Sequence, residues 1–199
     1  LLLEPASYYG PESGLGIAVR VLRMPQVRAP EDRGAGLRIG VVGLGTGAIA
    51  AWGAERDEIV FYELSPHVEK VCREYFDFLE ATPASTEVRL GDARVVLERE
   101  AAAGVEGRYD LLVIDAFSSD AIPLHLLTRE AFDVYEERLR GGGVLAVHVS
   151  NRFLDLAPIV RNLAHDRDAK AVRIVVPETD GYQVPSEWVL VTRNETLIN

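Results

Sequence analysis

Two aspartates five residues apart, Asp115 and Asp120, follow the apolar run Tyr109-Asp110-Leu111-Leu112-Val113-Ile114. A carboxylate pair at the end of a buried strand suits a cationic amine, because it attracts the ammonium ion and orients it. A protonated amine has no lone pair, so one carboxylate must take a proton before the nitrogen can attack. Asp115, at the strand end, is expected to be rigid and to act as electrostatic anchor. Asp120 lies on a loop with Ser118 and Ser119, ahead of Ala121-Ile122-Pro123. It is expected to reach over the ligand and act as the base, with Ser118 lining the same amine pocket.

A second constellation lies upstream. Leu37-Arg38-Ile39-Gly40-Val41-Val42-Gly43-Leu44-Gly45-Thr46-Gly47 is a strand that runs into three alternating glycines. Gly43, Gly45 and Gly47 let the chain turn sharply and approach a ligand, and the amides of a following helix would face it. The spacing is Gly-x-Gly-x-Gly rather than Gly-x-Gly-x-x-Gly, which favours a nucleoside without a pyrophosphate. Glu63, 20 residues after Gly43, is expected to accept two hydrogen bonds from ribose hydroxyls, with Leu64 beside it. Gly91-Asp92-Ala93 follows the next strand, and Asp92 is expected to accept from an adenine amino group.

These residues need a scaffold that brings strand ends to one edge. Apolar runs at 37–42, 58–62, 87–90, 109–114, 144–149, 172–176 and 187–192 read as strands. Helices are expected at 14–22, 48–54, 65–79 with Ser65 as N-cap, 92–102 with Asp92 as N-cap, within 124–139, and at 154–164. Gly141-Gly142-Gly143 is expected to stop the helix within 124–139. Alternating strands and helices imply a mostly parallel sheet covered on both faces. No helix separates the last two runs, and Asp180-Gly181 suits a turn, so the last strand is expected to be antiparallel. The expectation is an α/β class I methyltransferase-like Rossmann fold, with seven strands and one antiparallel. Residues 1–36, rich in Pro and Gly after 24, read as an N-terminal segment and linker, and 37–199 as the nucleoside-binding catalytic domain of one globular unit.

Composition narrows the partners. The 199-residue chain has a formal net charge of −10, which argues against nucleic acid as a ligand and favours encounter with cationic small molecules. No apolar run approaches the roughly 20 residues of a membrane helix. Cys72 is the only cysteine, which fits a reducing, cytoplasmic setting. His67, His125, His148 and His165 have no metal-ligand spacing, and no metal site is expected. His148 ends a strand near the predicted site and is a candidate lining residue. Trp188, on the last strand, is expected to be core. The chain begins Leu1-Leu2-Leu3 and its only methionine is Met24, so it is expected to be a fragment, a trimmed piece or one domain of a longer protein.

From Tyr8 to Thr192 the sequence resembles the catalytic domain of spermidine synthases, the polyamine aminopropyltransferases. The resemblance is carried by Tyr8-Tyr9-Gly10-Pro11-Glu12-Ser13-Gly14, the glycine loop, Tyr62-Glu63-Leu64, Gly91-Asp92-Ala93-Arg94, His148-Val149-Ser150-Asn151-Arg152 and Ser186-Glu187-Trp188-Val189. Its most specific part is Ile114-Asp115-Ala116-Phe117-Ser118-Ser119-Asp120-Ala121-Ile122-Pro123. It is most similar to the synthase-like domains fused to, or encoded beside, multi-span membrane transport proteins. The resemblance implies a transferase with no permanently bound cofactor. It would use decarboxylated S-adenosylmethionine as co-substrate and a polyamine as acceptor, and release 5′-methylthioadenosine. Gly43, Gly45, Gly47, Glu63, Leu64, Asp92 and Ala93 would hold the nucleoside. Asp115 and Asp120 would hold and deprotonate the amine, with Tyr8 and Tyr9 walling its pocket. The family spaces its two aspartates three residues apart rather than five. It also carries an N-terminal β-stranded domain, which is expected here to be missing or to lie upstream of Leu1. A homodimer and a membrane partner domain outside this chain are the further partners the resemblance suggests. Two other readings are open: a methyltransferase using intact S-adenosylmethionine, and a non-catalytic domain that binds polyamine or nucleoside and regulates a partner.

Overall fold

The apolar runs become seven strands among the residues that the computed structural model describes, 4–28, 32, 34–104, 109–117, 122–151, 153–177 and 184–197. They are β1 Arg38–Val42, β2 Glu58–Glu63, β3 Ser85–Leu90, β4 Tyr109–Ile114, β5 Leu139–His148, β6 Lys170–Val176 and β7 Ser186–Thr192. The sheet order is β3-β2-β1-β4-β5-β7-β6. The neighbouring pairs from β3 to β5 are parallel, and β7 is antiparallel to both β5 and β6. The expectation of a single antiparallel strand therefore holds. The proposed turn at Asp180-Gly181 lies outside the described residues.

β4 is buried at every position, as a central parallel strand covered on both faces must be. Its side chains alternate between two cores. Leu111 and Val113 join Ile39, Val41, Ile59 and Phe61 beneath α1 (Gly14–Leu22), α2 (Pro66–Tyr75) and α3 (Phe78–Ala81). Leu112 and Ile114 join Val42, Val60 and Tyr62 beneath α4 (Ala93–Ala102), α5 (Arg129–Arg138) and α6 (Ala157–His165). Period-two alternation thus assigns each residue its layer. Ser13, Asp92 and Thr128 cap α1, α4 and α5 by accepting from Gly16 N, Val95 N and Ala131 N. Within the segment read as linker, α1 contributes Leu15, Val19 and Leu22 to the core.

Local expectations change in four segments. Residues 48–54 form a short 3-10 turn, Ala48–Trp52, instead of a helix; Trp52 Nε1 is tied back to Tyr9 O at 2.8 Å. The helix expected at 65–79 breaks at Phe76, which is extended, so that α3 can turn Leu79 into the core against the glycine loop. Ser65 makes no side-chain cap; its N–H donates to Glu63. The segment 124–139 is a 3-10 turn, Leu124–Leu126, followed by α5. The glycines 141–143 lie inside β5 rather than after a helix. A Cβ at Gly143 would sit 3.1 Å from the carbonyl oxygens of Tyr109, Asp110 and Arg140, where the β4–β5 register shifts. These glycines allow that bulge to pack. Finally, α6 begins at Ala157 rather than at 154, after a turn in which Asn151 accepts from the amides of Phe153 and Leu154.

Candidate active site

The carboxyl ends of β1, β2, β3, β4 and β5 open onto one cavity of about 1010 Å³. Gly43, Gly45, Glu63, Leu64, Asp92, Ala93, Tyr8, Tyr9 and Asp115 all line it. Gly47 does not; it starts the 3-10 turn with φ +79°, and a Cβ there would meet Cys72 Sγ at 3.1 Å. Ser118 and Asp120 lie outside the described residues.

The glycine loop is built for contact. At Gly43 φ is +99°, and a Cβ would lie 2.6 Å from Asp115 O, so only glycine lets β1 turn against the end of β4. At Gly45 φ is +53° and a Cβ would meet nothing within 4 Å, which leaves an open backbone face. Glu63 is buried and fixed by two amides, Leu44 N–H to Oε2 at 3.0 Å and Ser65 N–H to Oε1 at 2.8 Å. Each carboxylate oxygen keeps a lone-pair direction for a further donor, as a ribose-binding residue requires. Asp92 Oδ1 accepts from Val95 N at 3.1 Å, and Oδ2 stands 3.2 Å from His125 Nε2.

Asp115 is more heavily engaged than a free anchor. Its Oδ2 accepts from the Tyr9 hydroxyl at 2.7 Å, and its Oδ1 stands 2.7 Å from His148 Nδ1. His148 Nε2 is 2.9 Å from Ser150 Oγ, which accepts from Glu187 N at 2.8 Å. Trp188 stacks on the imidazole, with centroids 4.3 Å apart and planes 4° apart, and the Phe117 ring meets it edge-on at 4.9 Å. Burial first, then the neighbouring Asp115 charge, pushes the Tyr9 phenol far above its ordinary pKa and keeps it a donor.

Sequence reading singled out Asp115, Tyr9 and His148 separately but not their union, and it missed Ser150 and His125. His148 and Ser150 are two apart along an extended segment and so share a face, a signal present in the sequence. The His148–Trp188 pairing comes from the β5–β7 register and is not. Electrostatically the cavity is one-sided: Glu63, Asp92 and Asp115 line it, and among the described residues no Lys or Arg does.

No family model matches the chain. It is similar to a polyamine aminopropyltransferase of Vibrio vulnificus, 32% identical over 154 residues, covering 75% of this chain and 47% of that protein. It is also similar to an N-terminal histidine N-methyltransferase of Emericella nidulans, 30% identical, covering 66% of this chain and 23% of that protein. The chain thus spans about half or less of the length of these relatives. Among solved structures, human methyltransferase-like protein 13 in complex with SAH matches with a TM-score of 0.65 at 20% identity, over 88% of this chain and 78% of that one. A probable spermidine synthase from Corynebacterium glutamicum matches with a TM-score of 0.62 at 22% identity, over 88% of this chain and 61% of that one. The structural likenesses establish a class I methyltransferase-like Rossmann fold, and the sequence likeness is to the spermidine synthase family, the polyamine aminopropyltransferases.

Proposed function

We infer that the chain is a transferase that moves an aminopropyl group from decarboxylated S-adenosylmethionine to a polyamine, leaving 5′-methylthioadenosine. The observation that carries this reading is that Glu63, Asp92 and Asp115 line the cavity while no Lys or Arg among the described residues does. Both the sulfonium donor and the ammonium acceptor are cations, and three carboxylates in the cavity wall favour both. The nucleoside lies over Gly43–Gly45, with its ribose on Glu63 and its adenine near Asp92. The amine lies against Asp115, with Tyr8 and Tyr9 as its wall; Asp120, outside the described residues, is proposed as the second carboxylate that holds the ammonium charge. Catalysis is then mostly positioning, because a sulfonium is already a good leaving group.

A methyltransferase reading has support from the likeness to human methyltransferase-like protein 13 and to the histidine N-methyltransferase. Calorimetry with the two donors separates the readings. Intact S-adenosylmethionine carries an α-carboxylate that this cavity repels, so the decarboxylated donor is expected to bind more tightly. Tighter binding of the intact donor, together with no turnover of any diamine, would favour the methyltransferase.

The nucleoside half of the proposal has its own test. Glu63→Ala removes a two-bond ribose acceptor and is expected to weaken 5′-methylthioadenosine binding by roughly 1.5–3 kcal/mol, about 10- to 150-fold. Unchanged affinity would remove Glu63 from the site.

A further inference from the structure

Donor and acceptor counting assigns the protons along the chain Tyr9–Asp115–His148–Ser150. The Tyr9 hydroxyl gives its one proton to Asp115 Oδ2. An ionised carboxylate only accepts, so the contact at Oδ1 puts the proton of a neutral His148 on Nδ1. Nε2 then presents a lone pair, and the Ser150 hydroxyl, which already accepts from Glu187 N, donates its proton to it. The imidazole is buried and clamped between Trp188 and Phe117, so it cannot turn away. Both His148 and Ser150 line the cavity, and Ser150 is the more exposed of the two. This is the wiring of an oriented general base with a hydroxyl between it and the ligand.

We propose that His148 is the acceptor of the amine proton, reached through Ser150. The substrate ammonium N–H bond breaks toward Ser150 Oγ as the Ser150 O–H proton passes to His148 Nε2. The hydroxyl is regenerated, and the imidazolium that forms is paired with Asp115. The freed nitrogen lone pair then makes the new N–C bond on the propyl carbon. The C–S bonding pair goes to sulfur, turning the sulfonium into a neutral thioether. The proton leaves to solvent with product release. The sequence directs this proton to Asp120, which lies outside the described residues; the geometry of the described residues supplies His148 as the acceptor. The proposal rests on the aminopropyl-transfer reading above.

The test is steady-state turnover of decarboxylated S-adenosylmethionine with a panel of diamines, with and without added imidazole. The variants are His148→Ala, His148→Gln, Ser150→Ala, Ser150→Thr and Asp120→Asn, and 5′-methylthioadenosine affinity is measured for each. His148→Ala is expected to lower kcat by roughly 10²–10⁴-fold with nucleoside affinity intact. Added imidazole restores part of the loss, which a merely structural role would not allow. His148→Gln keeps the side-chain volume and a donor toward Asp115 but has no base, and is expected to lose kcat without rescue. Ser150→Ala loses kcat and Ser150→Thr, which keeps the hydroxyl, retains it. Near-normal kcat in both His148 variants overturns the proposal, as does loss of kcat in Asp120→Asn with both His148 variants active. An unmutated protein that turns over no diamine overturns the aminopropyl-transfer reading and this role with it. Turnover that survives loss of His148 overturns this role alone.

Discussion

Asp57→Ala is expected to destabilise the fold by about 3–5 kcal/mol, lowering Tm by roughly 6–20 °C for a chain of this size. Asp57 is 1% exposed and immediately precedes β2. Its Oδ1 accepts from Leu37 N at 2.7 Å, and its Oδ2 from Ala54 N at 2.9 Å. The Arg23 guanidinium, just after α1, reaches Oδ2 at 2.7 Å and Oδ1 at 3.4 Å. One carboxylate therefore joins the N-terminal helix, the entry to β1 and the turn before β2. Alanine strands two amides and takes the counter-charge from the partly buried Arg23 guanidinium, which keeps its bond to Trp52 O; each unsatisfied buried group costs about 1–3 kcal/mol. Asp57→Asn keeps one acceptor but turns an NH₂ group toward other donors, so an intermediate loss is expected. Glu63 stands at the opposite end of the same strand, so nucleoside affinity well below the melting transition stays close to that of the unmutated protein. Thermal and urea denaturation measure the stability loss. A loss under about 1 kcal/mol would show that water replaces the carboxylate at these amides.

The contrast between Asp57 and Glu63 bears on what a sequence can reveal. Gly43, Glu63 and Asp92 were legible because each ends or follows an apolar run, and parallel strands bring such ends to one edge. The seven strands were legible for the same reason: β1, β2 and β4 are nearly continuous apolar runs. The antiparallel β7 followed from the lack of a helical pattern in the sequence between the last two apolar runs. Asp57 was not legible, because its partners are set by the packing of α1 on the sheet and not by any spacing. The glycines of β5 misled for a related reason, since Gly143 answers to three carbonyls contributed partly by β4. The side of the cavity proposed for the amine is mostly of this second kind. Tyr9 and Asp115 are 106 residues apart, and Asp115 and His148 are 33 apart. They meet only because the N-terminal segment crosses the carboxyl edge of the sheet, where β4 and β5 are neighbours.

That long-range meeting makes Asp115→Asn the variant with the largest expected effect on turnover at the least structural disturbance. The amide oxygen can keep the His148 Nδ1–H bond. The amide NH₂ can then donate to the Tyr9 oxygen, once the Tyr9 hydroxyl turns from donor to acceptor. Both contacts survive and only the negative charge is lost. An ammonium ion entering the cavity then meets one carboxylate fewer, and an imidazolium forming at His148 has no anion beside it. The kcat with decarboxylated S-adenosylmethionine and a diamine is expected to fall by roughly 10²–10⁴-fold, and KM for the amine to rise. Affinity for uncharged 5′-methylthioadenosine and thermal stability are expected to change little. Tyr9→Phe is the matched control: it removes a hydrogen bond but leaves the charge, and is expected to cost about ten-fold or less. Steady-state kinetics on the two variants, with methylthioadenosine calorimetry, give the comparison. Equal losses in the two would mean that hydrogen bonding to Asp115 matters and its charge does not. An unchanged kcat in Asp115→Asn would take Asp115 out of the chemistry, and His148 would lose the anion that its imidazolium needs.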